Sequence, residues 1–217
     1  MMDKEDRMSA GDEGKGRRFS VEDARARARE AMAKSEFILS RAYGLFREPK
    51  KEWEQIKAEE TTVPNILLGY VAPLAAIPPV CGLIGALLFE PIRVGPLGGA
   101  VTSVVVTWIV SIGLVFLIGF VINALADNFD GDSNDLSAQK VAAYSLTPAF
   151  LSGFFSLWPP LWWLSLFALA AMVFLMYRGL PILMKAPEDR ALGYAGTVTA
   201  AAAVGFIVLF ALASAVT

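Results

Sequence analysis

The chain has no histidine and only one cysteine, Cys81. Without histidine, HExxH zinc sites, Ser-His-Asp triads and histidine proton relays are excluded. A single cysteine excludes an intrachain disulfide or a cysteine cluster. Cys81 itself reads as a small packing residue, because no neighbour in its span stabilises a thiolate. Charge is scarce as well. Asp, Glu, Lys and Arg make up 18% of the 217 residues, where a soluble domain has ~25%. The charges are also segregated. Before Pro64 stand 14 of the 19 Lys+Arg and 14 of the 21 Asp+Glu, so only 12 charges remain for the rest of the chain. With 55% hydrophobic residues, that pattern excludes a soluble globular fold. It describes a charged cytosolic arm on a polytopic membrane domain. A net charge of −2 gives no basic footing for a nucleic-acid partner, and none is expected.

Stretches free of charge run over 61–89, 94–126, 141–177 and 191–217. The third has 37 residues, roughly 55 Å as one helix, too long for a bilayer core of ~30 Å. It contains Trp158-Pro159-Pro160, and successive prolines remove donors and break a helix. Dividing it there predicts five spans, over about 66–89, 97–126, 141–157, 161–178 and 191–215. The positive-inside rule agrees. With the N-terminus inside, the inner face gathers 18 of the 19 cations and the outer face keeps only Arg93. Trp158, Trp162 and Trp163 then read as an outer aromatic belt, and Tyr70, Tyr144, Tyr177 and Tyr194 as an inner one. No signal peptide is expected, because the first apolar stretch follows a polar lead and is long enough to remain as an anchor.

The predicted fold is therefore all-α: a polytopic integral membrane protein with five transmembrane helices, a cytosolic N-terminus and a cytosolic amphipathic helical arm. Residues 1–18 are expected to be a disordered tail, 19–62 the helical arm, and 63–217 the membrane domain. In the arm, Ser20 reads as an N-cap with Glu22 and Asp23 in the first turn. Asp23/Arg27 and Glu30/Lys34 are i,i+4 pairs in the favourable order. Met32, Leu39 and Phe46 recur every seven residues. Pro49 restricts Glu48 and opens a second short helix, on which Trp53 and Ile56 share a face. Three readings of the arm stay open. It lies on the anionic inner leaflet with Arg25, Arg27, Arg29 and Arg41 outward. It pairs with a protein partner or a second copy of itself. Or it is a solvated helix that only leads into the membrane.

Four segments resemble a known family. They are Phe46-Arg47-Glu48-Pro49-Lys50-Lys51-Glu52-Trp53-Glu54-Gln55-Ile56, Tyr70-Val71-Ala72-Pro73-Leu74-Ala75-Ala76-Ile77, Lys140-Val141-Ala142-Ala143-Tyr144-Ser145-Leu146-Thr147-Pro148-Ala149, and Gly179-Leu180-Pro181-Ile182-Leu183-Met184-Lys185-Ala186-Pro187-Glu188-Asp189. Their order and spacing are similar to the bacterial branch of the Yip (Ypt/Rab-interacting protein) domain family, from about Phe46 onward. The resemblance implies five membrane helices and a cytosolic N-terminus. It also implies, for eukaryotic members, roles in early secretory traffic and contact with small prenylated GTPases. The eukaryotic Asp-Leu-Tyr-Gly-Pro signature is absent, and Arg41-Ala42-Tyr43-Gly44-Leu45 shares only Tyr-Gly with it. Small-GTPase binding is accordingly not carried over to this chain.

Candidate chemistry is sparse. Asp127, Asp130, Asp132 and Asp135 sit in the 127–140 loop, where carboxylates can hold a divalent cation. Asp130-Gly131-Asp132-Ser133-Asn134 begins like a calcium loop, but Asp135 stands at the turn-glycine position and Val141 at the bidentate-glutamate position. Asn123 followed by Asp127 and Asp130 faintly resembles the intramembrane prenyltransferases, without their repeated motif. No metal and no cofactor are expected. Pro73, Pro78 and Pro79 interrupt the first span and free backbone carbonyls, which are tolerated only against protein or water. Thr147, Pro148 and Asn123 are candidates to face the same place. Small residues at helical spacing (Ser103, Thr107 and Ser111; Gly196 and Ala200; Ala201 and Gly205) allow close helix contact. Pro181, Lys185 and Pro187 mark a tight inner turn, with Lys185 and Arg190 anchoring helix ends at headgroups.

The expected function is a non-catalytic protein of the bacterial inner (cytoplasmic) membrane that organises partners or lipids at the cytosolic face. Interface candidates are Phe46, Pro49, Trp53, Ile56 and Lys185. Helix-break and packing candidates are Pro73, Pro78, Pro79, Tyr144, Thr147, Pro148 and Pro181. Two alternatives remain: a channel or small-solute carrier using the broken first span, and a metal-dependent lipid enzyme at the acidic loop. Membrane lipids are expected partners in either case.

Overall fold

The computed structural model describes residues 21–89 and 97–216. The expected tail 1–18, the Ser20 cap and the outer-face Arg93 lie outside the described residues, and so does the Asp23 side chain. The chain divides into two compact units, Met1–Ser40 and Arg41–Thr217. Among the described residues all regular structure is helical.

Helix α1 spans Val21–Arg47. In the first unit it leaves Met32 and Leu39 exposed. Ser35 and Ser40 turn their hydroxyls back onto the carbonyls of Met32 and Phe37, at 2.8 and 2.9 Å.

The second unit begins with the end of α1, where Arg41, Ala42 and Leu45 are buried. One residue, Glu48, separates it from α2 (Pro49–Ala58). Glu48 leaves the helical region (φ −135°, ψ 63°) because a following proline ring disfavours it there. Pro49 then opens α2, where its missing N–H costs nothing.

The first long apolar helix, Val63–Phe89, is broken twice. It starts as α3 (Val63–Ile66), capped by the Thr62 hydroxyl accepting from the Asn65 N–H at 3.4 Å. It widens into a π turn over Leu67–Val71, where the Ala72 N–H reaches back five residues to the Leu67 carbonyl. Pro73 has no N–H to continue the ordinary i→i−4 ladder, and a π turn is one way to absorb that gap. The helix resumes as α4 (Ala72–Ala75), breaks at Ala76 and continues as α5 (Ile77–Phe89). The break expected at Pro78-Pro79 thus falls just before the pair, where Leu74 and Ala75 lose their donors. The lower half is packed inward through Ile66, Tyr70, Val71, Leu74 and Ala75. The upper half is one-sided: Cys81 and Gly85 are buried, while Ile84, Leu87, Leu88 and Phe89 face outward.

Helix α6 (Leu97–Leu125) is unbroken and passes through a 3-10 turn, Ala126–Phe129, into a loop. Helix α7 (Asp135–Ser145) is capped by the Asn134 side chain, which accepts from the Ser137 N–H at 2.8 Å. Residues Ala138 through Ser145 are all buried, so α7 is the axis of the unit. After Leu146 come α8 (Thr147–Leu151) and a 3-10 turn, Ser152–Leu157. Trp158 is extended before Pro159, and a second 3-10 turn, Pro159–Leu164, leads into α9 (Ser165–Leu183). Helix α10 runs over Glu188–Val216.

Length and composition define four helices able to cross a membrane: Val63–Phe89, Gly98–Phe129, Pro159–Leu183 and Glu188–Val208. The expected third span, 141–157, is not among them. It is helical but kinked at Leu146 and Ser152, and it continues a helix whose first turns carry Asp135, Gln139 and Lys140.

Candidate functional site

The polar centre of the second unit lies where α2 meets α7 and α9. Spacing of three residues puts Trp53 and Ile56 on one face of α2, and both are fully buried. The Trp53 indole covers Gly179 of α9, where an added Cβ would stand 2.8 Å from its ring. Its edge points at the Tyr144 ring, with centroids 6.4 Å apart and planes at 85°. Tyr144 in turn packs on Tyr70 at 4.6 Å. Edge and tilted contacts of this kind suit the quadrupoles of the rings.

A charged group closes over these rings. Arg41, 5% exposed, donates to Glu52 Oε1 at 2.5 Å and to the Glu59 carboxylate. Its guanidinium carbon lies 5.6 Å from the Tyr144 ring centre, within cation–π range. Gly44 makes room: a Cβ there would overlap the Glu52 carboxylate at 2.1 Å. From the other side Lys140, 4% exposed, donates to the carbonyls of Ile56 and Glu59, each at 2.7 Å. These are carbonyls at the C-terminal end of α2, where a cation also meets the negative end of the helix dipole. Burial, and then the Arg41 charge, push the Lys140 ammonium below the ordinary lysine range. Arg41 thus ties the end of α1 to α2 and Glu59, and Lys140 ties the C-terminal end of α2 to α7.

A second feature lies at the turn at Leu146, just before Thr147. Pro148 has no N–H for the Tyr144 carbonyl, and the Thr147 hydroxyl donates to that oxygen instead, at 2.8 Å. With its own proton so placed, Thr147 Oγ1 accepts from the Tyr70 hydroxyl, at 2.8 Å. The break at Ala76 is healed in the same way. The Trp108 indole N–H donates to the Ala72 carbonyl at 2.7 Å.

The acidic loop has partners for each carboxylate. Asp132 pairs with Lys185 at 2.6 Å and Asp130 with Arg190 at 2.8 Å. Asp127 accepts from Ser133 and Asp135 from Asn123, at 3.0 and 2.6 Å. The Asp132 N–H donates to the Met184 carbonyl at 2.7 Å. The hydrogen bond from Lys185 to Asp132 holds that ammonium above its usual range. Among the described residues no three His, Cys, Asp or Glu side chains gather as metal ligands.

The interface candidates therefore part company. Trp53 and Ile56 are buried at the root of the arm, and the half-buried Pro49 opens their helix. Phe46 is 53% exposed. Lys185 sits in the exposed turn with φ 54°, paired to Asp132. Tyr144, Thr147 and Pro148 join one network with Tyr70, and Pro73, Pro78 and Pro79 form the breaks described above. Pro181 lies inside α9. Three sequence expectations need correction. Arg41 is buried in ion pairs, not turned outward. Asn123 holds the loop through Asp135, away from Thr147 and Pro148. Tyr70, Tyr144 and Tyr194 are buried, not an interfacial belt; Tyr194, stacked on Phe129 at 4.7 Å, donates to the Ile122 carbonyl. Trp158, Trp162 and Trp163 are exposed. Arg41, Glu52, Glu59, Lys140 and Gly179 escaped sequence reasoning as site residues.

Helices that are apolar enough to cross a bilayer, gathered on a buried α7 with a charged helix fastened to them, define a polytopic helical membrane protein. The Yip1 domain matches residues 43–210, and the chain belongs to that family. It is similar to the inner membrane protein YohC of Escherichia coli strain K12, with 27% identity over 188 residues, covering 80% of this chain and 94% of the relative. The YohC of Escherichia coli O6:H1 strain CFT073 matches to the same extent, 27% over 188 residues. No solved structure matches the chain significantly.

Proposed function

We propose that the chain is a non-catalytic, five-span protein of a bacterial inner membrane, with its N-terminus in the cytosol and C-terminus outside. In this reading it organises protein partners or lipids at the cytosolic face. The inner-membrane relatives support the location. The observation that carries the functional reading is the fastened arm. Trp53, Arg41 and Lys140 make its root part of the membrane domain. The Met32 and Leu39 side chains of the same helix remain exposed, and they supply the surface for a partner or second copy.

Contacts near the ends of the helices support five crossings. Lys140 touches Glu59, Asp132 pairs with Lys185 and Asp130 with Arg190. Residues before the first span, in the acidic loop and before the last helix therefore share one face. Chain leaving the loop at 135 and returning at 185 must cross an even number of times. Residues 141–157 supply the outward pass: ten α-helical positions and Leu146 between them at about 1.5 Å, with six 3-10 positions at 2.0 Å, give roughly 28 Å. In the first span Trp108 takes the Ala72 carbonyl, which favours packing over a solute site at that one position.

The topology is tested by single-cysteine labelling in a Cys81→Ser background. A cysteine at Thr217 should be reached from outside only; labelling from the cytosolic side alone ends the five-span reading. Photocrosslinkers at positions 32 and 39 in native membranes should capture a discrete partner or a second copy. Crosslinkers that capture neither remove the organising role from the arm.

A further inference from the structure

Two hollows lie along one side of α9. The larger, about 420 Å³, is lined by Phe46, Pro148, Leu151, Phe155, Phe167 and Ala171, among others. Its one hydroxyl, Ser152, is turned onto the Ala149 carbonyl at 2.7 Å, so the surface offered is apolar. The smaller, about 70 Å³, is lined by Lys50, Tyr177, Arg178, Pro181, Ile182 and Glu188. Positions 167, 171, 174 and 178 of α9 recur at steps of three and four, so they form one stripe. The stripe begins apolar, passes Phe174, and ends at Arg178, whose guanidinium lies 5.8 Å from the Phe174 ring centre. The opposite wall changes in the same sense, from Phe46 to Lys50 within about one helical turn. Among the described residues neither Lys50 nor Arg178 forms a salt bridge, whereas Arg41, Lys51, Lys185 and Arg190 all do.

An apolar groove that ends in two cations matches the order of groups along a phospholipid. We propose that this side of α9 binds one anionic phospholipid of the leaflet facing the arm. One acyl chain lies in the groove between Phe46 and Phe167. The phosphate sits between Lys50 and Arg178. Glu188 reduces the local charge to a net +1 but does not cancel it, so a headgroup with net negative charge is favoured over a zwitterionic one. The second-copy alternative explains the groove but not its cationic end. The inference rests on the five-span reading only for which leaflet the lipid comes from.

The test uses the purified full chain in nanodiscs of phosphatidylcholine containing equal minorities of phosphatidylglycerol and phosphatidylethanolamine. Lipid retained after release into detergent is counted by native mass spectrometry. The wild type should retain phosphatidylglycerol in preference to phosphatidylcholine. Lys50→Gln and Arg178→Gln should each cut that preference about fivefold, from the usual contribution of one cation near an anionic surface. Glu188→Gln should raise it. Ala171→Phe, which fills the groove, should reduce retention while the tryptic pattern of the arm stays native. Equal retention of both lipids, a preference for phosphatidylethanolamine that Glu188→Gln abolishes, or displacement of the lipid by inorganic phosphate alone at millimolar levels would each overturn the site. Nanodiscs present both leaflets alike, so a failed topology leaves this result standing, and a failed lipid preference leaves the topology standing.

Discussion

The Trp53 indole lies on Gly179 with no space for even one methyl group between the arm and α9. That contact makes a directional prediction. Gly179→Val forces the indole out of its place, and overpacking of this kind costs about 1–3 kcal/mol. Trp53→Ala leaves a cavity and should cost about 3–5 kcal/mol. The two changes should not add, because the valine in the double variant fills part of the space the indole vacates. Thermal unfolding in detergent measures the stability, and tryptic cleavage at Lys50, Lys51 and Lys57 measures release of α2. If Gly179→Val leaves both unchanged, the indole is not seated there.

Arg41 bridges Glu52 and Glu59 from an almost fully buried position. Removing one member of a buried ion pair leaves the other without its counter-charge, at a cost of about 3–5 kcal/mol. Arg41→Met should approach that range. Glu52→Gln should cost less, since Glu59 still faces the guanidinium. In the double variant part of the loss should be recovered, giving a coupling of about 0.5–3 kcal/mol. Strict additivity in the thermal shifts would show that the pair is not formed.

These two sites also show what the sequence reveals and what it hides. Trp53 and Ile56 announce a buried face through their spacing, and Pro49, Pro73 and Pro148 announce breaks through missing donors. Such signals act within a few residues. Arg41 gives no local sign that its partners lie 11 and 18 residues away, nor Lys140 that it reaches carbonyls 84 and 81 residues back. A tyrosine is ambiguous for a different reason. Its apolar ring and polar tip suit a membrane interface, but they suit equally a buried hydrogen bond such as that of Tyr70 to Thr147. Hydropathy and length mark four of the expected spans, and the fifth rests on the charge at the helix ends alone. The segment 141–157 is shortened by kinks and by its polar start.

Lys140 makes the stability of the arm depend on pH. Its ammonium titrates below the ordinary value of 10.5 in the folded chain, through burial first and the Arg41 charge second. Between the lowered folded value and 10.5 the unfolded chain holds more protons than the folded one. Stability from this group therefore rises with pH through that window and is lost as pH falls through the folded value. Lys140→Met removes the rise. It also leaves the Ile56 and Glu59 carbonyls without this donor, so at neutral pH it should still destabilise, by about 1–3 kcal/mol. The difference in melting temperature between wild type and variant, followed upward from neutral pH toward the ordinary lysine value, should grow with pH. A difference that stays flat or shrinks contradicts the buried ammonium.

Thr147 and Pro148 depend on each other through one oxygen. Proline at 148 deprives the Tyr144 carbonyl of its helical donor, and the Thr147 hydroxyl stands in at 2.8 Å. Thr147→Val keeps the shape but removes the donor. A buried carbonyl without a partner costs about 1–3 kcal/mol, and the Tyr70 hydroxyl loses its acceptor as well. Thr147→Ser should be nearly silent, because the hydroxyl remains. The sharper test adds Pro148→Ala to Thr147→Val. Alanine brings back the N–H that proline lacks, which can close the helical bond to Tyr144 and recover part of the stability lost. If Pro148→Ala worsens the Thr147→Val variant, the hydroxyl was not substituting for the missing N–H, and the kink at Leu146 must be held by packing alone.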